Sequence, residues 1–437
     1  MRHFTKKWNG EGRSLLVCGI HTAATYWQPS FNTREIMLKL SDRLNRIQPS
    51  PSSMAGQRVR ELRAAGRDVI GLTAGEPDFA TPAHIREAAW KAMNSGKTGY
   101  TDVGGTAGLR EAVARKFARE NSLHYKPNEI IVSSGAKQVI FNAIVCTVQS
   151  GDEVIIPAPY WVSYPDITLF AGGTPVFVAG TSESGFKLTP ESLERAITPR
   201  TRWLMLNAPN NPSGAAYSRD ELVALAEVLD RHPHVWIMTD DIYEHLMYDG
   251  AGFVTIAQAA PQLADRTLTI NGVSKAYAMT GWRIGFAGGP AALIKAMVKM
   301  QSQSTSCANA IAQAAALAAL DGPQDFIAAN REIYRQRRDF MVDALNRVEG
   351  IECQAPAGAF YLFASCRQLF GRKTPDGREI RTSDDWAAWA LDAANIAFLP
   401  GSAYGVDTHF RLSFATSMEV LSEGAKRIAS AAEALHR

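Results

Sequence analysis

The chain has 437 residues, 46% of them hydrophobic and 20% charged, with a formal net charge of +3. This is globular composition, with length for one large domain and a smaller one. It carries no basic block and no aromatic–basic interleaving, which argues against a nucleic-acid partner. No apolar run approaches the roughly 20 residues that span a bilayer, so no membrane partner is expected.

Five cysteines, Cys18, Cys146, Cys307, Cys353 and Cys366, lie far apart with no Cys-x-x-Cys pair. Three of them sit among apolar or small residues and read as small core fillers, and the set points to a reducing, cytoplasmic setting with no disulfide framework. His232 and His234 have no cysteine or carboxylate cluster beside them, so no metal site is expected.

Residues 1–36 show no helical or strand period and no signal-peptide core. They are expected to be a disordered N-terminal extension. A helix is predicted from Met54 to Ala65 and a short strand over Val69–Leu72. A Gly/Pro loop, Ala74-Gly75-Glu76-Pro77-Asp78-Phe79, follows. Thr81 and Pro82 have the form of a cap and a first helical residue, and Ile85, Ala88, Ala89, Ala92 and Met93 keep the 3.6 period. Gly96 and Gly99 end that pattern, with Tyr100 just beyond.

From about residue 104, strands and helices alternate. A helix spans Leu109–Arg119. Strands are predicted at Glu129–Val132, Glu153–Ile156, Pro175–Val178, Arg202–Leu206, Val235–Thr239, Thr267–Ile270 and Ile284–Ala287. They are short and almost continuously apolar, as strands buried on both faces are. Thr189-Pro190 and the capping box Ser218…Glu221 open two of the intervening helices. The pattern is a doubly wound α/β domain with a mostly parallel sheet of about seven strands. After Gly322 the character changes. A charged helix, Glu332–Val348, is followed by strands at Phe360–Phe363 and His409–Phe414 and a final helix, Glu419–Leu435. This is a smaller α+β domain. The predicted division is 84–325 for the large domain and 37–83 with 326–437 for the small one.

Doubly wound sheets bind ligands at the carboxyl ends of their strands. At successive ends stand Ser133-Ser134-Gly135-Ala136-Lys137, Tyr160-Trp161, Asn210-Asn211-Pro212, Asp240-Asp241-Ile242-Tyr243 and Ser274-Lys275. Each alone has a structural reading: a turn, a helix cap, a core aromatic, a solvated lysine. Their joint occurrence in this order is the signal. A lysine leaving a buried strand can lose its charge by desolvation and act as a nucleophilic amine.

With these motifs, and with Ser274-Lys-Ala-Tyr-Ala-Met-Thr-Gly-Trp-Arg-Ile-Gly and Phe410-Arg-Leu-Ser-Phe-Ala, the chain resembles the class I aminotransferase family. These are fold type I transferases that depend on pyridoxal phosphate, and within them it resembles the bacterial aspartate aminotransferase subgroup. The likeness runs from about Leu38 to the C-terminus. It implies transamination between an L-amino acid, aspartate first, and 2-oxoglutarate, in two half-reactions through pyridoxamine phosphate. Prephenate/arogenate or aromatic amino acids are the near alternative. A lyase of the same fold and the ligand-sensor domain of a regulator are the more distant ones.

The resemblance assigns the roles. Lys275 bonds the cofactor and shuttles the proton. Asp240 pairs with the pyridine nitrogen, with Asp241 as the competing candidate; the family's Asp-x-x-Tyr spacing favours Asp240, since it then reaches Tyr243. Tyr243 and Asn211 bond the phenolic oxygen, and Trp161 stacks on the ring. Gly135, Ala136, Lys137, Ser274 and Arg283 hold the phosphate, and Tyr100 reaches it from a second subunit, which implies a homodimer. Arg411, with Gly75, binds the substrate α-carboxylate. Lys137, supported by Ser52, reads the distal carboxylate. The small-molecule partners are amino acids and 2-oxo acids.

Overall fold

The computed structural model describes residues 39–436; the extension expected over 1–36 lies outside them. The elements below belong to the unit Ser41–Arg437. Its strands are β1 (Ile70–Gly71), β2 (Ile130–Ser133), β3 (Glu153–Ala158), β4 (Thr174–Ala179), β5 (Thr201–Asn207), β6 (Trp236–Asp240), β7 (Thr267–Gly272), β8 (Gly285–Gly288), β9 (Tyr361–Ser365), β10 (Ile396–Ala397), β11 (Leu399–Pro400) and β12 (His409–Ser413). Seven form one sheet in the order β2-β8-β7-β6-β5-β3-β4. Only β8 runs against its neighbours, so the other six strands end on one edge.

Apolar side chains cover both faces of this sheet. Ile130 and Val132 pack with Leu109, Val113 and Phe117 of helix α3 (Ala107–Asn121). The alternate residue Ile131 packs with Val139, Ile140 and Ile144 of helix α4 (Ala136–Thr147). Each such buried side chain contributes about 1.5–3 kcal/mol. A second sheet, β11-β12-β9, is antiparallel. Its core is shared with helices Asp325–Asn346 and Met418–Glu433.

Three local readings need correction. Helix α1 spans Pro51–Ala64, three residues ahead of the period-based start at Met54, because Pro51 at its first position presets the helical φ. Helix α2 spans Ala83–Asn94 with Pro82 at the cap position. Thr81 therefore does not cap it; its hydroxyl donates to the Ala278 carbonyl at 2.6 Å. The charged helix begins at Asp325, well before Glu332.

Beneath β6 and β7 lies a buried ion pair, Lys116 with Glu244. Asn121 Nδ2 donates to Glu244 at 2.7 Å and Asn271 Nδ2 at 2.8 Å. Asn271 Nδ2 also donates to the Asp241 carbonyl. Burial alone would raise the Glu244 carboxyl; Lys116 and His245 overcome this and hold it below its ordinary range. The network fastens the turn after β6 to the end of β7 and to α3. Lys116→Met strands the carboxylate and is expected to lower stability by about 3–5 kcal/mol. Adding Glu244→Gln, which keeps an acceptor for Asn121 but removes the charge, restores part of that loss. Denaturant midpoints of the wild type, single and double variants check both.

Candidate active site

A cavity of about 710 Å³ opens at the carboxyl edge of the large sheet. Ser52, Gly75, Ala136, Lys137, Trp161, Asn211, Asp240, Tyr243, Ser274, Lys275, Arg283 and Arg411 all line it. They come from α1, the β1–α2 loop, the start of α4, four strand-end turns and β12. Gly135 caps α4 at the same place. Tyr100 lies elsewhere, 94% exposed.

Lys275 Nζ donates to the Gly75 carbonyl at 2.6 Å. Burial lowers its amine to about 8; Glu76 pulls it up, while Arg283 and Arg411 push it down. Asp240 is the last residue of β6. The Tyr164 hydroxyl donates to its Oδ2 at 2.8 Å, and Asn207 Nδ2 to its carbonyl at 2.7 Å. Its Oδ1 is buried without a hydrogen-bond partner among the described residues. Burial raises this carboxyl to about 6, against the downward pulls of Tyr164 and Lys275. Asp241 points to the other face of the strand, where it accepts from the Thr239 hydroxyl, and does not line the cavity. Strand alternation thus separates two carboxylates that are adjacent in sequence.

Arg411 is 2% exposed. Its Nη1 donates to Asn211 Oδ1 at 3.0 Å and its Nη2 to the Thr73 carbonyl at 2.7 Å. The guanidinium lies 4.4 Å from the Tyr361 ring centroid, and Tyr361 shares a 2.8 Å hydroxyl contact with Tyr243. Lys137 Nζ sits 4.8 Å over the Trp161 ring; burial first, then Arg283, lowers its amine.

Gly135 has φ +90°, and a Cβ there would lie 2.2 Å from Arg283 Nη2. Arg283 itself adopts φ 59° and donates to the Thr280 carbonyl at 2.9 Å. The absent Cβ is what lets this guanidinium lie across the N-terminus of α4. That end presents free N–H groups and the positive end of a helix dipole, a place for an anion. An orphaned carboxylate oxygen suits a protonated ring nitrogen. The arginine-and-glycine cradle suits a phosphate, and an amine near neutrality suits a carbonyl. The residues present therefore fit the pyridoxal phosphate that the resemblance implies.

Sequence reasoning passed over Tyr164, Tyr361 and Asn207. Only the fold shows that their polar ends meet Asp240, Tyr243 and Arg411. Glu76, Arg60 and Arg63 also line the cavity and received no role.

Asp240 carries a sign that can be tested. Its folded value of about 6 lies above the ordinary 3.8. The folded state therefore binds more protons between these values, and stability falls as pH rises through that window. Asp240→Asn removes the cost: the cofactor-free chain is expected to gain about 1–3 kcal/mol above pH 6 and nothing below pH 4. Urea titrations at the two pH values check it.

Residues 67–428 match the model of the aminotransferase class I and II family. The chain is 55% identical over 392 residues to the aspartate/prephenate aminotransferase of Cereibacter sphaeroides, covering 90% of this chain and 98% of that protein. It is 52% identical over 402 residues to an aspartate aminotransferase of Rhizobium meliloti, covering 92% and 98%. The crystal structure of the aspartate aminotransferase from Rhizobium meliloti superposes with a TM-score of 0.89 at 52% identity, covering 91% of this chain and all of that one. The Thermus thermophilus aspartate aminotransferase with maleate gives 0.84 at 42% identity, covering 90% and 100%. By sequence and by fold, the chain belongs to the class I and II aminotransferases, fold type I enzymes with a mostly parallel α/β sheet.

Proposed function

We propose that this enzyme transfers the amino group of L-aspartate to 2-oxoglutarate with pyridoxal 5′-phosphate as cofactor. One observation carries the reading. A single cavity joins an amine near neutrality, Lys275, to a buried carboxylate with a free oxygen, Asp240, and to two separate anchors for carboxylates, Arg411 and Lys137. The names of the relatives at 50–55% identity support the substrate.

When bound, the cofactor supplies an electron-withdrawing ring that stabilises negative charge at the amino acid's α-carbon. The chain's own residues do the rest. Arg283 and the start of α4, at Gly135, Ala136 and Lys137 with Ser274 beside them, hold the phosphate. Asp240, fixed by Tyr164 and Asn207, holds a proton on the ring nitrogen. Trp161 packs against the ring. Tyr243, in contact with Tyr361, and Asn211 donate to the phenolic oxygen. Arg411 binds the substrate α-carboxylate through its two parallel N–H bonds, displacing weaker donations to Asn211 and Thr73, with the Gly75 backbone beside it. Lys275 Nζ takes and returns the proton at the substrate's α-carbon. Lys137, near Ser52, meets the distal carboxylate. A lysine is a point charge and does not demand one carboxylate geometry, so prephenate is a second acceptable partner.

The proposal includes a homodimer in which Tyr100, exposed here, reaches the partner's phosphate site. Trp90 and Met93, also exposed, would be covered in it. It also includes a division into a cofactor-holding part, 84–325, and a covering part, 37–83 with 326–437, supported by the separate sheets. The four described cysteines are unpaired, and among the described residues no helix is long and apolar enough to cross a membrane. The unpaired cysteines support a cytoplasmic setting.

The holoenzyme is expected to lose its visible absorbance on adding L-aspartate and to regain it on adding 2-oxoglutarate. No change with any dicarboxylic amino acid would reject the substrate. Lys275→Ala is expected to keep the cofactor but to lower turnover by more than about a thousandfold; near-normal turnover would overturn the assignment of every other residue.

A further inference from the structure

Two of the cations that line the cavity have no hydrogen-bond acceptor among the described residues. Arg63 donates to the Val69 carbonyl, and Lys275, Arg283 and Arg411 all donate to main-chain carbonyls. Lys137 has only the face of Trp161. Arg60, on α1, has no ion pair and no hydrogen bond among the described residues.

An acid three or four positions away on a helix can pair with an arginine and occupy it. Around Arg60 those positions hold Gly56, Gln57, Arg63 and Ala64, and none is acidic. The nearby Glu61 is engaged by Gln57 and Arg58. Arg63, one turn on, adds like-charge repulsion. Such a local conflict, placed on the wall of a ligand cavity, marks a functional position. Side chains on a helix lean toward its N-terminus. Arg60 does so: its Nη1 lies 3.5 Å from where a Cβ on Gly56 would stand. Gly56, Ser53 and Ser52 line the same cavity, so the guanidinium lies beside a glycine of the cavity wall. A larger residue at 56 would crowd it there.

Resting on the proposed transamination, we propose that Arg60 is a specificity-determining residue that pairs with the second carboxylate of dicarboxylic substrates of five carbons or more. Arg411 fixes one carboxylate. Lys137, held on Trp161 at the start of α4, is a fixed point charge and serves the shorter span. Arg60, on a different element and unpaired, has the reach and the planar fork to meet a carboxylate that extends farther. One cavity thereby accepts the four-carbon donor and the five-carbon acceptor that the two half-reactions require.

The test compares wild-type, Arg60→Leu and Arg60→Lys holoenzymes. For Arg60→Leu, KM for L-glutamate and 2-oxoglutarate is expected to rise about tenfold with kcat within about twofold. KM for L-aspartate and for L-alanine should stay within about twofold, and Arg60→Lys should recover part of the loss. Calorimetric titration with glutarate and with butyrate gives a readout independent of turnover, and only glutarate affinity should fall. Equal effects on aspartate and glutamate, an effect on alanine, or unchanged glutarate affinity would each overturn the role. A wild type inert toward every dicarboxylic amino acid, with glutarate binding still weakened by Arg60→Leu, would reject the transamination of dicarboxylates but keep Arg60 as a carboxylate site.

Discussion

The site depends first on parallel pairing in the centre of the large sheet. β5 and β6 pair Asn207 with Asp240, and β6 and β7 pair Asp240 with Ile270. Parallel neighbours stand about 4.8 Å apart and end on one edge. The turns carrying Asn211, Tyr243 and Lys275 therefore emerge side by side. These strands are buried on both faces, and a one-residue slip would exchange those faces wholesale. The register is held again from below, where Asn271 bonds both the Asp241 carbonyl and Glu244. The distance between the Lys275 amine and the Asp240 carboxylate is thus set largely by the sheet, since Asp240 ends β6 and Lys275 leaves β7.

The second constraint is electrostatic. Six cationic side chains, Arg60, Arg63, Lys137, Lys275, Arg283 and Arg411, line the cavity against two acids, Glu76 and Asp240. The imbalance favours anionic ligands. It also lowers Lys275 and Lys137, since burial and neighbouring cations both disfavour the ammonium. Asp240 is raised by burial to about 6 despite Lys275. Burial thus makes the charged form of each group costly, a cost that a ligand of complementary charge would relieve. Arg411 differs because two carbonyl-type oxygens and two rings already stabilise it, leaving its Nε without a partner.

The strands were the most legible part of the chain. All seven expected strands of the large sheet are present, though β4, at its edge, has exposed residues and is not buried on both faces. Helix starts were less so. The first turn of α1, Pro51-Ser52-Ser53, has no apolar period, whereas the helix at Asp325 opens on Phe326 and the buried Ile327, an apolar signal that the sequence reading missed. Thr81 misled because a threonine before a proline looks like a cap, yet its hydroxyl serves a carbonyl 197 positions away. Within the cavity, charged and glycine-flanked positions such as Lys275, Gly135 and Arg411 stand out against apolar strands. Tyr164 and Tyr361 do not, because a tyrosine in a core segment is ordinary until its hydroxyl has a destination. Asp240 is preferred to Asp241 on the family's Asp-x-x-Tyr spacing, and the face to which each projects separates the two.

The same non-local character couples the two sheets through the site. Arg411 of β12 bonds Asn211, 200 positions away, and the carbonyl of Thr73, 338 positions away. Tyr361 of β9 meets Tyr243 across 118 positions, and Lys275 meets the Gly75 carbonyl across 200. β9 and β12 are adjacent, with Arg411 paired to Phe363 and Ser413 to Tyr361, so the anchor for a carboxylate and the hydroxyl facing Tyr243 ride on one rigid ladder. A displacement of the small sheet would move both together and would change the Arg411–Asn211 and Tyr243–Tyr361 contacts in the same step. A ligand that pulls on Arg411 would therefore also act on Tyr243.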